Sequence, residues 1–138
     1  MSNQEPDTDR ISASDLDAVI QFLPYFANPN NEFYETDRSS ILEPCLYSRE
    51  VADFLHILFK RNLICRQFDW TSWHDEAENY RNNPNLMDNA DLDIVIKLLT
   101  THVRADRFVG GHLADIIDSS HLLRILQRLA EIRKERFP

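Results

Sequence analysis

Apolar side chains recur along this chain at helical rather than strand spacing, and the repeats fall in separate blocks. Leu16, Val19, Ile20 and Leu23 form an i, i+3, i+4, i+7 stripe. Ser12 and Asp15 precede it as a capping-box pair, with Ile11 and Leu16 placed as the hydrophobic staple. Pro24 disfavours helical geometry at Leu23, so this first helix bends or ends there. Ser48 caps a second helix with the stripe Val51, Phe54, Leu55, Leu58 and Phe59; His56 falls about 140° from Val51 and faces outward. A third starts at Asp69 or Thr71, with Trp70, Trp73, Ala77 and Tyr80 on one side and Asp75 and Glu76 at its positive end. The fourth runs from about Asn89 to Asp106 behind the capping pair Asp88 and Asp91, and turns Leu92, Val95, Ile96, Leu99 and Val103 inward.

After Gly110–Gly111, the residues Leu113, Ile116 and Ile117 face one way and Leu122, Ile125, Leu126 and Leu129 another. From Leu113 to Leu122 the rotation is about 900°, which puts the two faces on opposite sides of any continuous helix. The helix therefore breaks, and Asp118, Ser119 and Ser120 supply capping side chains at the break. A last helix runs from Ser120 to Arg136. Residues 28–47 read as a loop and 63–68 as a short apolar stretch of strand length. The predicted architecture is mainly α: one compact bundle of about five to six helices over residues 11–138, with a minor β ribbon at most within 32–47 and 63–68. Residues 1–10 are expected to form a disordered tail.

Composition narrows the function classes. With 43% hydrophobic and 28% charged residues the 138-residue chain is a soluble globular type. Its two glycines are adjacent, which excludes dinucleotide and phosphate-loop glycine motifs. The net charge of −8 opposes binding to nucleic-acid backbones. That charge is unevenly spread: residues 1–96 hold 7 basic and 18 acidic side chains (−11), residues 97–138 hold 8 and 5 (+3). Cys45 and Cys65 fit no metal or redox spacing and are expected to be buried thiols. With no signal-peptide pattern and no long apolar run, a cytoplasmic, non-membrane protein is expected.

Polar chemistry is densest in His102-Val-Arg104-Ala-Asp106-Arg107-Phe108-Val-Gly-Gly-His112-Leu and in Ser119-Ser120-His121. Here the chain resembles a bacterial family of small uncharacterised proteins, a domain of unknown function. Its marks are a His-Val-Arg-x-Asp-Arg-Phe run, a Glu-Gly-His-Leu turn and a Ser-Gly-His before the last helix. The resemblance extends through Tyr47-Ser48, Phe68-Asp69-Trp70 with Trp73, Glu76-Ala77, Ala90-Asp91-Leu92 and Leu98-Leu99-Thr100, and covers most of residues 15–132. This chain has Gly110 where the family tends to have Glu, and Ser120 where it tends to have Gly. The resemblance implies a mainly helical fold and a bacterial source, and brings no activity.

The candidate site residues are thus His102, Arg104, Asp106, Arg107, His112 and His121. Asp106 falls within the apolar stripe at the negative end of its helix and needs a donor; Arg104, Arg107, His102, His112 and His121 are the donors available. His102 and Asp106, at i and i+4, with His112 and His121 have a spacing permissive for metal, but they match no diagnostic pattern, so no metal or cofactor is expected. Ser119 or Ser120 with His121 and Asp118 has the residue types of a catalytic triad, though helix capping explains them better. Arg104 and Arg107, with the helix start after Gly111, suit anion recognition. The leading expectation is a non-enzymatic protein-interaction module with an unidentified protein partner or a second copy of itself. The alternative is a small hydrolase or nuclease-like enzyme acting on an anionic substrate through residues 102–121.

Overall fold

A computed structural model of the chain describes residues 5–36 and 45–138. Seven helices and one two-stranded antiparallel hairpin make up the regular structure of those residues, in agreement with a mainly α reading. In order they are α1 (Ala13–Ile20), α2 (Leu23–Ala27), β1 (Tyr34–Thr36), β2 (Cys45–Tyr47), α3 (Arg49–Lys60), α4 (His74–Asn82), α5 (Leu92–Asp106), α6 (His112–Asp118) and α7 (His121–Arg136). A 3-10 turn at Thr8–Arg10 precedes α1 and is held to the last helix, where Arg136 donates to the Thr8 carbonyl over 3.0 Å. Residues 1–4 of the expected tail lie outside the described residues.

Local sequence explains most of the element starts. Ser12 and Asp15 close a reciprocal capping box on α1, Ser48 accepts from the Val51 N–H of α3, and Asp91 accepts from the Ile94 N–H of α5. Pro24 ends α1 as expected and then serves as an early residue of the short α2. At the end of α3 Asn62 takes a left-handed conformation, φ 62°, and a double closure forms: the Leu63 N–H reaches Leu58 O and the Asn62 N–H reaches Phe59 O. Leu58 and Leu63 are both fully buried beneath it.

Three local readings are corrected. The apolar run 63–68 is not a strand; it is a series of turns whose Leu63, Ile64 and Phe68 plug the core, because no neighbouring strand offers it a ladder. The third helix starts at His74 rather than at 69–71, because the preceding turns carry Trp70 away from the helix to meet Phe108, ring centroids 5.7 Å apart. Asp88 caps nothing and sits in a 3-10 turn, Pro84–Asn89, so α5 starts at Leu92 under Asp91.

Helices α5 and α7 carry the core. Leu92, Val95, Ile96, Leu98 and Leu99 of α5 pack with Leu122, Ile125, Leu126, Leu129 and Ile132 of α7, and α1, α2 and α6 close around α7. Because α5 is sheathed on more than its stripe, Thr100, Thr101 and His102 are buried too. Thr100 uses that position to accept from the Cys65 N–H at 2.9 Å, which ties the 61–73 turns to the central helix. Cys45 and Cys65 are half-buried rather than buried.

Besides Asn62, two chain reversals need left-handed backbone, and they are filled differently. Gly111 has φ 85°, and a Cβ there would stand 3.3 Å from the Cys45 sulfur. Ser120, between α6 and α7, has φ 65° with a side chain that pays the left-handed steric penalty; glycine is the unstrained residue at that position. Gly111→Ala is expected to cost about 1–2 kcal/mol and Ser120→Gly to add up to about 1 kcal/mol in urea unfolding. Equal midpoints for both variants and the parent would contradict this assignment of strain.

Candidate functional site

The segment 102–121 is split over three faces, because helix α5 ends inside it and α6 turns back against it. Asp106 occupies the first. It is the last residue of α5, half-buried, and its Oδ1 accepts from the Tyr47 hydroxyl at 2.8 Å and from the Leu113 N–H at 2.9 Å. The Tyr47 oxygen in turn accepts from the Ala114 N–H at 3.2 Å. Gly111, the residue at the N-cap of α6, has no side chain to cap with, so a carboxylate and a phenol brought from elsewhere satisfy the second and third N–H groups of that helix. A network does centre on Asp106, but none of the five expected cationic donors belongs to it. The helix start after Gly111 is therefore occupied by protein groups and is closed as an anion site. Burial, then the bond to Asp106, pushes the Tyr47 hydroxyl pKa far up, so it remains a donor.

The second face gathers the histidines. His102 Nδ1 lies 3.1 Å from His112 Nε2, and the His121 ring meets His102 edge-on at a centroid distance of 5.1 Å. His102 is 2% exposed and His121 5%. The Nε2 atoms of His102 and His121 are buried without a hydrogen-bond partner. Burial is the main reason that all three imidazoles resist protonation. His102 is held well below the usual range, with His121 and His112 beside it adding to the effect. His121 is lowered to about 4, with Arg81 the second cause. His74, Glu78 and Arg81, at i, i+4 and i+7 of α4, also act on this group: Arg81 and His74 oppose protonation of His102 and His112, while Glu78 and Asp106 favour it at His112.

Arg104 and Arg107 form the third face. With His56 and Phe59 of α3 and Arg66 of the following turns they line an open cleft of about 470 Å³. The Arg66 guanidinium lies 5.5 Å from the Phe59 ring centroid, and Arg104 Nε is buried without a partner. Beside the cleft the α5–α6 turn exposes Phe108 (75%) and Val109 (61%), with Phe108 against Trp70.

Residues 11–135 match the sequence family described as Family of unknown function (DUF6508). The chain belongs to it. No curated protein and no solved structure matches the chain. The DUF6508 match runs from the staple of α1 into the last turns of α7, so all three faces lie within the family region.

Chemically, the faces do different things. A metal centre on His102, Asp106, His112 and His121 is not assembled, since Asp106 is committed to Tyr47 and α6; among the described residues no group of three His, Cys, Asp or Glu side chains is arranged to hold an ion. Nor is a triad: Asp118 accepts from the Tyr34 hydroxyl at 2.6 Å and the Ser119 hydroxyl donates to the Ile116 carbonyl at 3.2 Å. Neither serine caps α7 as expected, since Ser120 makes no capping bond. Sequence reasoning missed Tyr47, Arg66 and the α4 trio. Only the trio carried a local signal, its i, i+4, i+7 spacing; Tyr47 reaches Asp106 across 59 residues.

Asp106→Ala is expected to lose about 2–3 kcal/mol, Tyr47→Phe about 1–2, and the pair less than the sum, because both act on one helix start. Asp106→Asn keeps an acceptor and should cost less than alanine. Additive losses in urea unfolding would show that the two groups act independently.

The histidines predict a pH dependence of opposite sense to that of a histidine held charged in an ion pair. Their folded pKa values are depressed, so the unfolded chain binds more protons and stability falls as pH drops below about 6.5, continuing towards the folded His121 value of about 4. Each histidine that stays neutral contributes about 1.4 kcal/mol per pH unit within that window. His121→Gln should flatten the slope between pH 6.5 and 5; an unchanged slope would remove His121 from the account.

Proposed function

We propose that this DUF6508 protein is a non-enzymatic interaction module that docks an acidic segment of a partner protein, one carrying an apolar side chain, on the corner of α5 and α6. One observation carries the reading: of the four described arginines without a carboxylate partner, three gather there, the exposed Arg49 at the start of α3 being the fourth. Among the described residues Arg10, Arg61, Arg81, Arg124, Arg128, Arg133 and Arg136 each pair with Asp or Glu. Arg66, Arg104 and Arg107 have no such partner and line the same cleft. Guanidinium forks of this kind suit carboxylates bidentately, and the exposed Phe108 and Val109 beside them supply apolar area for an anchor residue.

The enzyme alternative needs an imidazole within reach of both a substrate and these arginines. His102 and His112 are bonded to each other inside the protein, and neither lines the arginine cleft, whose one histidine is the exposed His56. His56 has no carboxylate or second imidazole among the residues lining that cleft, and the three histidines of the motif lie elsewhere, which favours docking over turnover. A nucleic-acid backbone would meet the same cleft, but the charge of −8 opposes its approach.

Selection of a random phage-displayed peptide library on the immobilised protein tests the reading. Peptides rich in Asp and Glu around an aromatic or aliphatic residue are expected. Their binding should drop at least about tenfold with Arg104→Ala plus Arg107→Ala and with Phe108→Ser. Selection of non-acidic peptides, or equal binding by the variants, would overturn it. So would tighter capture of random duplex DNA at physiological salt, and a concentration-dependent dimer abolished by Phe108→Ser would identify a second copy as the occupant instead.

A further inference from the structure

A second cavity, of about 250 Å³, opens at the start of α7, away from the arginine cleft, and its lining is unusual for so acidic a chain. Arg81, Ser120, His121, Arg124 and Gln127 supply its polar wall, and no carboxylate is among the residues lining it. Three features of that wall agree. The 16-residue α7 begins without a side-chain cap and without an acidic residue in its first turn, whereas α1, α3 and α5 have both. Its first N–H groups and the positive end of its dipole are thus uncompensated by side chains. His121 is 95% buried by its 5% exposure, lines the cavity, and has an Nε2 that is buried without a hydrogen-bond partner. Arg81 has only a loose contact with Glu78, 3.8 Å, and its charge acts directly on His121. Arg124 on the opposite wall is already shared between Asp88 and Glu131, which lie on its exposed side.

We infer that this cavity binds a small phosphate-type oxyanion, free or as the phosphate group of a small monoester. The α7 N–H groups and Arg81 provide the charge and His121 provides an imidazole donor. The inference does not depend on the acidic-peptide reading, because the two cavities share no lining residue. A tetrahedral oxyanion suits a wall made of donors from several directions, and an anion there would complete both the unfilled helix start and the unpartnered imidazole. The modest volume limits the ligand to the anion with a short substituent.

The test is a titration of the full chain with inorganic phosphate, followed by backbone amide resonances. Saturable shifts are expected at His121, Leu122 and Leu123, with the Arg81 side-chain resonance moving in parallel. Arg81→Gln, a partly exposed position that leaves the core intact, should weaken the dissociation constant about tenfold, and His121→Gln similarly. Arg104→Gln should leave the α7 response unchanged, which separates this site from the arginine cleft. A parallel titration with glycerol 3-phosphate distinguishes the sources: tighter binding than phosphate identifies a monoester, equal binding the free ion. Absence of saturable shifts at the α7 start overturns the inference. So do shifts that survive Arg81→Gln unchanged, because circular dichroism on that variant tells loss of the site from loss of the fold.

Discussion

The corner of the molecule depends on one carboxylate. Asp106 stands at the end of α5, where the helix dipole disfavours it, and it is kept there by two donors that need it equally. The second helix of the corner, α6, starts on a glycine whose left-handed backbone makes the turn but supplies no cap. Asp106 and Tyr47 provide that cap together, so the hairpin, α5 and α6 are fixed by a single oxygen-centred junction. The same junction explains the arginine cleft. Arg104 and Arg107 flank the one carboxylate close to them in sequence, and Asp106 turns from them to the helix start. Two guanidinium groups are left without a counter-ion as a direct consequence of how the corner closes.

What the sequence showed and what it hid divide by range. The caps Ser12, Ser48 and Asp91 act within three residues, and the break after Asp118 follows from a phase difference within nine; these were legible because their physics is local. Asp106 was recognisable as a residue needing a partner, yet its partner lies on a hairpin 59 positions away, and chain-neighbour reasoning named the wrong donors. The 63–68 stretch misled for a related reason: an apolar run acquires strand character only from a neighbour, and here it packs against α5 through Thr100 instead. Trp70 fitted a helix stripe, but its ring found Phe108, and tertiary contact overrode the periodicity.

The histidine group shows how a motif can be dense in chemistry without being open to solvent. The 3.1 Å contact between His102 Nδ1 and His112 Nε2 requires one donor and one acceptor, so it forms only between neutral or singly charged rings. Whichever ring donates, His102 retains a buried Nε2 with nothing to bond, and neutral imidazole is the cheaper occupant of such a place. Burial thus removes these side chains from ordinary titration and turns them into packing groups with polar edges. His121 differs, because it also borders a cavity, and that is why one histidine of the motif has a chemical outlook that the other two lack.

Charge completes the argument about recognition. The acidic first part and basic last part of the chain are not two separate poles: Arg133 holds Asp17, Arg136 lies beside Asp9, Arg124 holds Asp88 and Lys97 bridges Glu5 and Asp93, so half of the last part's eight basic side chains lie against carboxylates of the first. Three of the guanidinium groups that remain unpaired share one cleft. An anionic partner approaching a surface of net charge −8 is repelled over most of it and attracted at Arg66, Arg104 and Arg107, where the cleft walls reduce screening. The repulsion sharpens orientation, because an acidic segment held in any other place gains nothing and loses its hydration. A basic protein with the same three arginines would bind anions more strongly and less selectively; the negative remainder makes a small cationic cleft a specific one.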